Sequence, residues 1–122
     1  MRGWIKAEPI AANALRLTPQ GKLTTADFRA LVPRVDAMIE RSGQIRLLID
    51  ATEFDGWDSF EGFKTHAGFI RAHQRHIERL AVIAGHDWQR WLIDLARMVL
   101  HPDARAFDKA QEGEAIHWIS EP

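Results

Sequence analysis

The segment Ile45-Arg46-Leu47-Leu48-Ile49 constrains this chain most, because it is a near-continuous apolar run of strand-forming residues. A strand with one wet face alternates apolar and polar side chains. A strand apolar along its whole length needs cover on both faces, as in a parallel sheet flanked by helices. A second run, Leu80-Ala81-Val82-Ile83-Ala84, reads the same way, and a helical stretch from about Asp58 to His73 separates the two. Strands that alternate with helices imply right-handed crossovers and a mostly parallel sheet.

The rest of the chain fits around these runs. Trp4 to Glu8, closed by Pro9, and the alternating Ala14 to Thr18 read as two strands joined in an antiparallel hairpin. Thr24 offers a helix N-cap, with Asp27 as its capping-box partner. Phe28, Leu31, Val32, Val35, Met38 and Ile39 then hold one helical face, and Ser42-Gly43 ends it. The face keeps its register across Pro33, which predicts one bent helix rather than two. Asp87 can cap a third helix carrying Trp88, Trp91, Leu92, Leu95, Ala96 and Val99, stopped by His101-Pro102. Ala104 to Phe107 reads as a last strand. Asp108 with Gln111 opens a final helix bearing Ala115, Ile116 and Ile119. The order ββαβαβαβα, with no linker or repeat, predicts a single α/β sandwich over residues 1–122, its mixed sheet mostly parallel and packed by helices.

Composition narrows the function classes. Sixteen basic against seventeen acidic residues leave a net charge of −1, and non-specific nucleic-acid binding needs a basic surplus. No nucleic-acid partner is expected. With no cysteine there is no disulfide, thiolate nucleophile or Cys-based zinc site, as suits a reducing cytoplasm. The polar start Met1 to Lys6 is unlike a signal peptide, and no segment nears the ~18 apolar residues of a membrane span. A cytoplasmic domain is expected. No GxSxG, P-loop or GxGxxG stands in the sequence, so no enzyme and no cofactor are expected. His66 and His73 lie about 10 Å apart along a helix, too far to share one ion, and no metal site is predicted.

Two strand ends are rich in aromatic residues. After Ile45 to Ile49 comes Phe54-Asp55-Gly56-Trp57-Asp58-Ser59-Phe60, read as a glycine turn with a tryptophan at the mouth of a Phe-rich helix. After Leu80 to Ala84 comes Gly85-His86-Asp87-Trp88, then Trp91. Ligands of open α/β sheets sit beyond the carboxyl ends of the strands. Phe60, Phe63, Ala67 and Ile70 share one face of the second helix; Trp88, Trp91, Leu95 and Met98 lie on adjoining stripes of the third. Each residue alone reads first as core. Together they make an apolar sector wider than one sheet face requires, and such a surplus lines a pocket, dimerises or lies on a membrane. Phe69 falls off the main stripe and needs a partner of its own. The acids at the start of the second helix and the bases at its end follow the helix dipole.

Several words in order resemble one family. They are Gly21-Lys22-Leu23-Thr24-Thr25-Ala26-Asp27, Leu31-Val32-Pro33-Arg34-Val35, Gln44 to Ile49, Phe54 to Asp58, Ile77 to Val82, Trp88-Gln89-Arg90-Trp91-Leu92 and Ala106-Phe107-Asp108. Nearly the whole chain is similar to the SpoIIAA-like family of the STAS fold, a fold likened to both anti-sigma-factor antagonists and CRAL-TRIO lipid carriers. The resemblance implies a binding module, not an enzyme, that holds a small apolar or lipid-like ligand or touches a membrane surface peripherally. The pocket of such a module would lie between the second and third helices and the sheet, walled by Trp57, Phe60, Phe63, Trp88, Trp91, Leu95 and Met98, with His66 or Arg90 for selectivity. The alternative it implies is a regulatory protein-interaction module acting as a homodimer. In STAS antagonists a serine at this helix start is phosphorylated. Ser59 stands in a similar place, but the word Asp-Ser-Ser-Gly is missing, and a plain helix cap is the expected role.

Overall fold

Two strands at the N-terminus form the hairpin that the alternation predicts, but both run further than it indicates. The computed structural model describes residues 4–57, 59–85 and 103–121; on α2 the side chains at 60, 63, 66, 67 and 70 fall outside the description. β1 (Trp4–Ala11) pairs antiparallel with β2 (Ala14–Leu23), and α1 (Thr25–Ser42) follows. Then come β3 (Ile45–Asp50), β4 (Phe54–Trp57), α2 (Phe60–His73), β5 (Ile77–Ala84), β6 (Ala104–Asp108) and α3 (Glu112–Ser120). The sheet order is β1-β2-β3-β5-β6, parallel throughout beyond the hairpin. The helix expected after Asp87 lies outside the described residues.

β4 is the main local departure from the sequence reading, which had a turn there. β2 continues through Pro19 and Gly21 to Leu23, so it extends past the end of β3. β4 takes over as its parallel neighbour, with Gly21, Lys22 and Leu23 opposite Phe54, Gly56 and Trp57. The handover needs backbone that only glycine adopts without strain: Gly21 has φ 68° and Gly56 φ 102°. The Gly21 amide donates to the Glu53 carbonyl at 3.0 Å, closing the joint.

The apolar run of β3 is explained by two unequal cores. Ile45 and Leu47 face α1 and α2, in a cluster with Leu15, Leu17, Val35 and Phe69. Leu48 faces the other way, with Ala14, Ala81, Ile83, Phe107, Ala115 and Ile119 under α3. α1 is a single helix through Pro33, burying Leu31, Val35 and Met38. Thr24 Oγ1 accepts the Asp27 amide at 3.4 Å while the Asp27 carboxylate accepts the Thr24 amide at 2.8 Å, the predicted capping box.

Arg46, the one polar residue in the run, has a specific use. Buried to 8 % exposure, its guanidinium donates to the carbonyls of Ile119 (2.9 Å) and Glu121, and its Nε to Glu78 (3.2 Å). Arg79 donates to the Trp118 and Glu121 carbonyls at 2.8 and 3.0 Å. Two bases thus satisfy the carbonyls that the end of α3 leaves open, where positive charge also complements the helix dipole. Trp118 lies beneath the guanidiniums of Arg79 and Arg105, 5.6 and 4.6 Å from the ring centre.

Candidate functional site

The β4–α2 junction carries the first part of the predicted aromatic wall. Trp57 is half-buried against the larger core and meets Phe54 edge-on, with ring centroids 5.1 Å apart at 84°. Phe60, Phe63 and His66 occupy the first two turns of α2, with Phe60 and Phe63 at a spacing of three. Trp88, Trp91, Leu95 and Met98 fall outside the described residues, so the facing wall is not part of the description. Ser59 is exposed, and its Oγ accepts the Gly62 amide at 3.1 Å. That is the bond of an N-cap to the third helical residue. Ser59→Ala should therefore cost about 1 kcal/mol in urea denaturation, while Ser59→Asp, which keeps an acceptor, should cost less.

Phe69 finds the partner it lacked on the apolar stripe. It is buried and stacks on His73, with centroids 4.4 Å apart. The His73 ring bridges the Phe69 carbonyl and the Asp36 carboxylate, each at 2.8 Å, and so ties α2 to α1. Among the described residues, no three His, Asp or Glu side chains converge as metal ligands.

A polar cluster that sequence reasoning missed lies at the carboxyl end of β3. Asp50, with 5 % exposure, accepts the Thr52 amide (3.1 Å), the Thr52 hydroxyl (2.7 Å) and the Arg16 guanidinium (2.9 Å). Arg16 also reaches Glu112 at 2.5 Å, and Lys109 stands 3.9 Å from Asp50. Burial by itself raises the Asp50 pKa. The Thr52 bonds, Lys109 and Arg16 outweigh it and hold the carboxyl below the ordinary aspartate value. Burial likewise lowers the Arg16 pKa, and its two carboxylates more than reverse that. Every charge here has an internal partner, so the cluster ties β2 and β3 to the start of α3. The available signal was an arginine inside an alternating strand and an aspartate ending an apolar one.

A groove opens on the α1 side of the hairpin, also unanticipated. It encloses about 550 Å³, within the size range of small-molecule sites. Leu15 and Met38 form the buried floor, and Pro9, Ala11, Ala12 and Ala37 the sides. Arg34 and Arg41 stand exposed at the rim. No acidic side chain lines it, and neither arginine takes part in an ion pair among the described residues. Their spacing of seven sets them on one flank of α1, two turns apart. The Ser42 hydroxyl donates to the Ala12 carbonyl at 3.3 Å, joining the end of α1 to the hairpin turn.

With this geometry in hand, comparison with known proteins places the chain. A family profile described as SpoIIAA-like matches residues 14–120. No curated protein matches the sequence. Among solved structures, the chain is similar to an uncharacterised protein from Shewanella loihica PV-4 described as having a SpoIIAA-like fold. That likeness has a TM-score of 0.75 at 23% identity, over 96% of this chain and 93% of the other. No helix among the described residues is long and apolar enough to cross a membrane.

Proposed function

The chain belongs to the SpoIIAA-like family, and we propose that it is a non-enzymatic binding module for a small, lipid-like anionic ligand. The observation that carries this reading is the hairpin–α1 groove, lined by apolar residues and by two arginines that form no ion pair among the described residues, with no acid in its lining. An alkyl chain lying along the groove gains about 0.8 kcal/mol for each CH₂ it buries. A carboxylate or phosphate head at the rim can accept from Arg34 or Arg41, and guanidinium–oxyanion bonds are about twice as strong as neutral ones. Trp57, half-buried at the end of β4, would offer such a ligand a second apolar contact.

Titration calorimetry with dodecanoate and with dodecanol tests the reading. Dodecanoate should bind and the neutral alcohol should bind at least tenfold more weakly. Arg34→Glu/Arg41→Glu should abolish that difference. Native mass spectrometry of freshly purified protein should retain an anionic amphiphile. If neither compound binds and none co-purifies, the reading is wrong. Binding that survives the arginine changes but is lost in Trp57→Ala would move the site to the β4–α2 junction.

A further inference from the structure

β1 is the edge of the sheet, and its register shows what its outer side presents. Pro9 stands opposite Leu15, and Pro19 opposite Ile5. A proline has no N–H, so these two positions form non-hydrogen-bonded pairs. Alternation then makes Ala7–Leu17 non-hydrogen-bonded as well. The same parity follows from the other edge of β2, where the Asn13 carbonyl accepts the Arg46 amide and so points toward β3. The amides and carbonyls of Ile5 and Ala7, with the carbonyl of Pro9, therefore point away from β2. No strand pairs with that edge among the described residues. Such a row is a template for another strand, here confined to the stretch before Pro9, since the proline and the register shift between Pro9 and Ala11 blunt the edge beyond it.

We infer that the strand it takes is β1 of a second copy of this chain, antiparallel, about a two-fold axis at Ala7. In this register Ala7 faces Ala7, and their amides and carbonyls exchange two hydrogen bonds. Each Ile5 amide donates to the Pro9 carbonyl of the other copy; proline cannot return the second bond of that pair, so the Ile5 carbonyl there stays with water. The neighbouring pairs set Lys6 opposite Glu8 and Glu8 opposite Lys6, in the close, non-hydrogen-bonded positions where side chains interact most. Within one copy Lys6 and Glu8 already lie on one side of β1, 3.6 Å apart, with side chains 54% and 50% exposed. Trp4, 48% exposed and the one large hydrophobic side chain left out among the described residues, comes beside Ile10 of the second copy.

The charges also exclude the alternatives. Sliding the pair two residues one way sets Lys6 against Lys6; sliding it the other way sets Glu8 against Glu8. Like charges directly opposite are destabilising. Sliding by one residue sets outward backbone groups against inward ones and forms no ladder. Of the registers within two residues of it, this one alone forms a ladder that avoids like charges, and it is self-complementary, as a two-fold interface must be.

Charge exchange tests this directly by sedimentation velocity over a wide range of concentration. The wild-type chain should form dimers. Lys6→Glu alone and Glu8→Lys alone should each weaken self-association about tenfold or more, since each sets like charges opposite twice. An equimolar mixture of the two variants should restore the dimer, because every Glu then faces a Lys. Circular dichroism of each variant should match the wild type, as both side chains are exposed. A wild-type chain that stays monomeric to its solubility limit overturns the proposal, as do variants that dimerise alone as well as mixed. The groove ligand plays no part in this test, so the outcome is independent of the proposed function.

Discussion

Arg16→Ala should destabilise the fold by about 3 kcal/mol, measured by urea denaturation at neutral pH. Breaking a buried ion pair by removing one partner costs about 3–5 kcal/mol, because the other charge stays buried without it. The lower end applies here. Asp50 retains the two Thr52 bonds and Lys109, and Glu112, with a side chain 35% exposed, recovers water. Arg16→Met combined with Asp50→Asn should lie nearer the wild type than Arg16→Ala, since the amide can still accept from Thr52 and the charges left behind, Glu112 and Lys109, are the ones open to water. The same cluster sets an acid dependence. Because folding lowers the Asp50 pKa, its contribution is fully present above the ordinary aspartate value of about 4. It is lost as pH falls through the lower, folded value. The gap between wild type and Asp50→Asn should therefore close in acid, and a gap constant from pH 7 to pH 2 would show that the carboxylate charge plays no part.

Ile119→Ala should cost a further class of energy, about 3–4 kcal/mol from the loss of a fully buried aliphatic side chain. Ile119 is 0% exposed and sits in the smaller core with Leu48, Ala81, Ile83, Phe107 and Ala115. Arg46 and Arg79 hold the carbonyls around it, so α3 cannot settle inward to fill the space. A site that cannot collapse keeps its cavity and falls toward the upper part of the range. Leu31→Ala, in the larger core and 6% exposed at the flank of α1, should cost less. Equal losses at the two positions would contradict the account of a rigidly docked α3.

These two changes touch features of very different legibility. α1 was readable in full, because capping box, apolar face and terminal glycine agree over one long helix. The buried strands β3 and β5 were readable from composition alone, and so was the mostly parallel sheet. β4 was not. It is four residues long and pairs through a register shift at Gly21, and glycine there reads as a turn in any sequence. Arg46 interrupts its run for a reason held by α3, more than seventy residues away, which no local pattern contains. The Arg16–Asp50–Glu112 cluster spans three elements in the same manner. The groove escaped notice because alanine, proline and arginine at a hairpin end carry no periodic signal. Of the predicted aromatic wall, Trp57 lies half-buried at a strand end, as proposed for a ligand contact, but its immediate neighbour is Phe54.

The handover from β3 to β4 also decides how the sheet can open. Among the described residues, β2 pairs with β1 and β3 over its earlier part and with β4 over its last three residues. Releasing that short ladder frees Trp57 and the start of α2 while the pairs between β2, β3 and β5 stay closed. Regions attached through few contacts open at lower free energy than the whole fold. Trp57 is thus mounted on a four-residue strand held by a three-pair ladder, and exchange of the β4 amides should report on that joint apart from global unfolding.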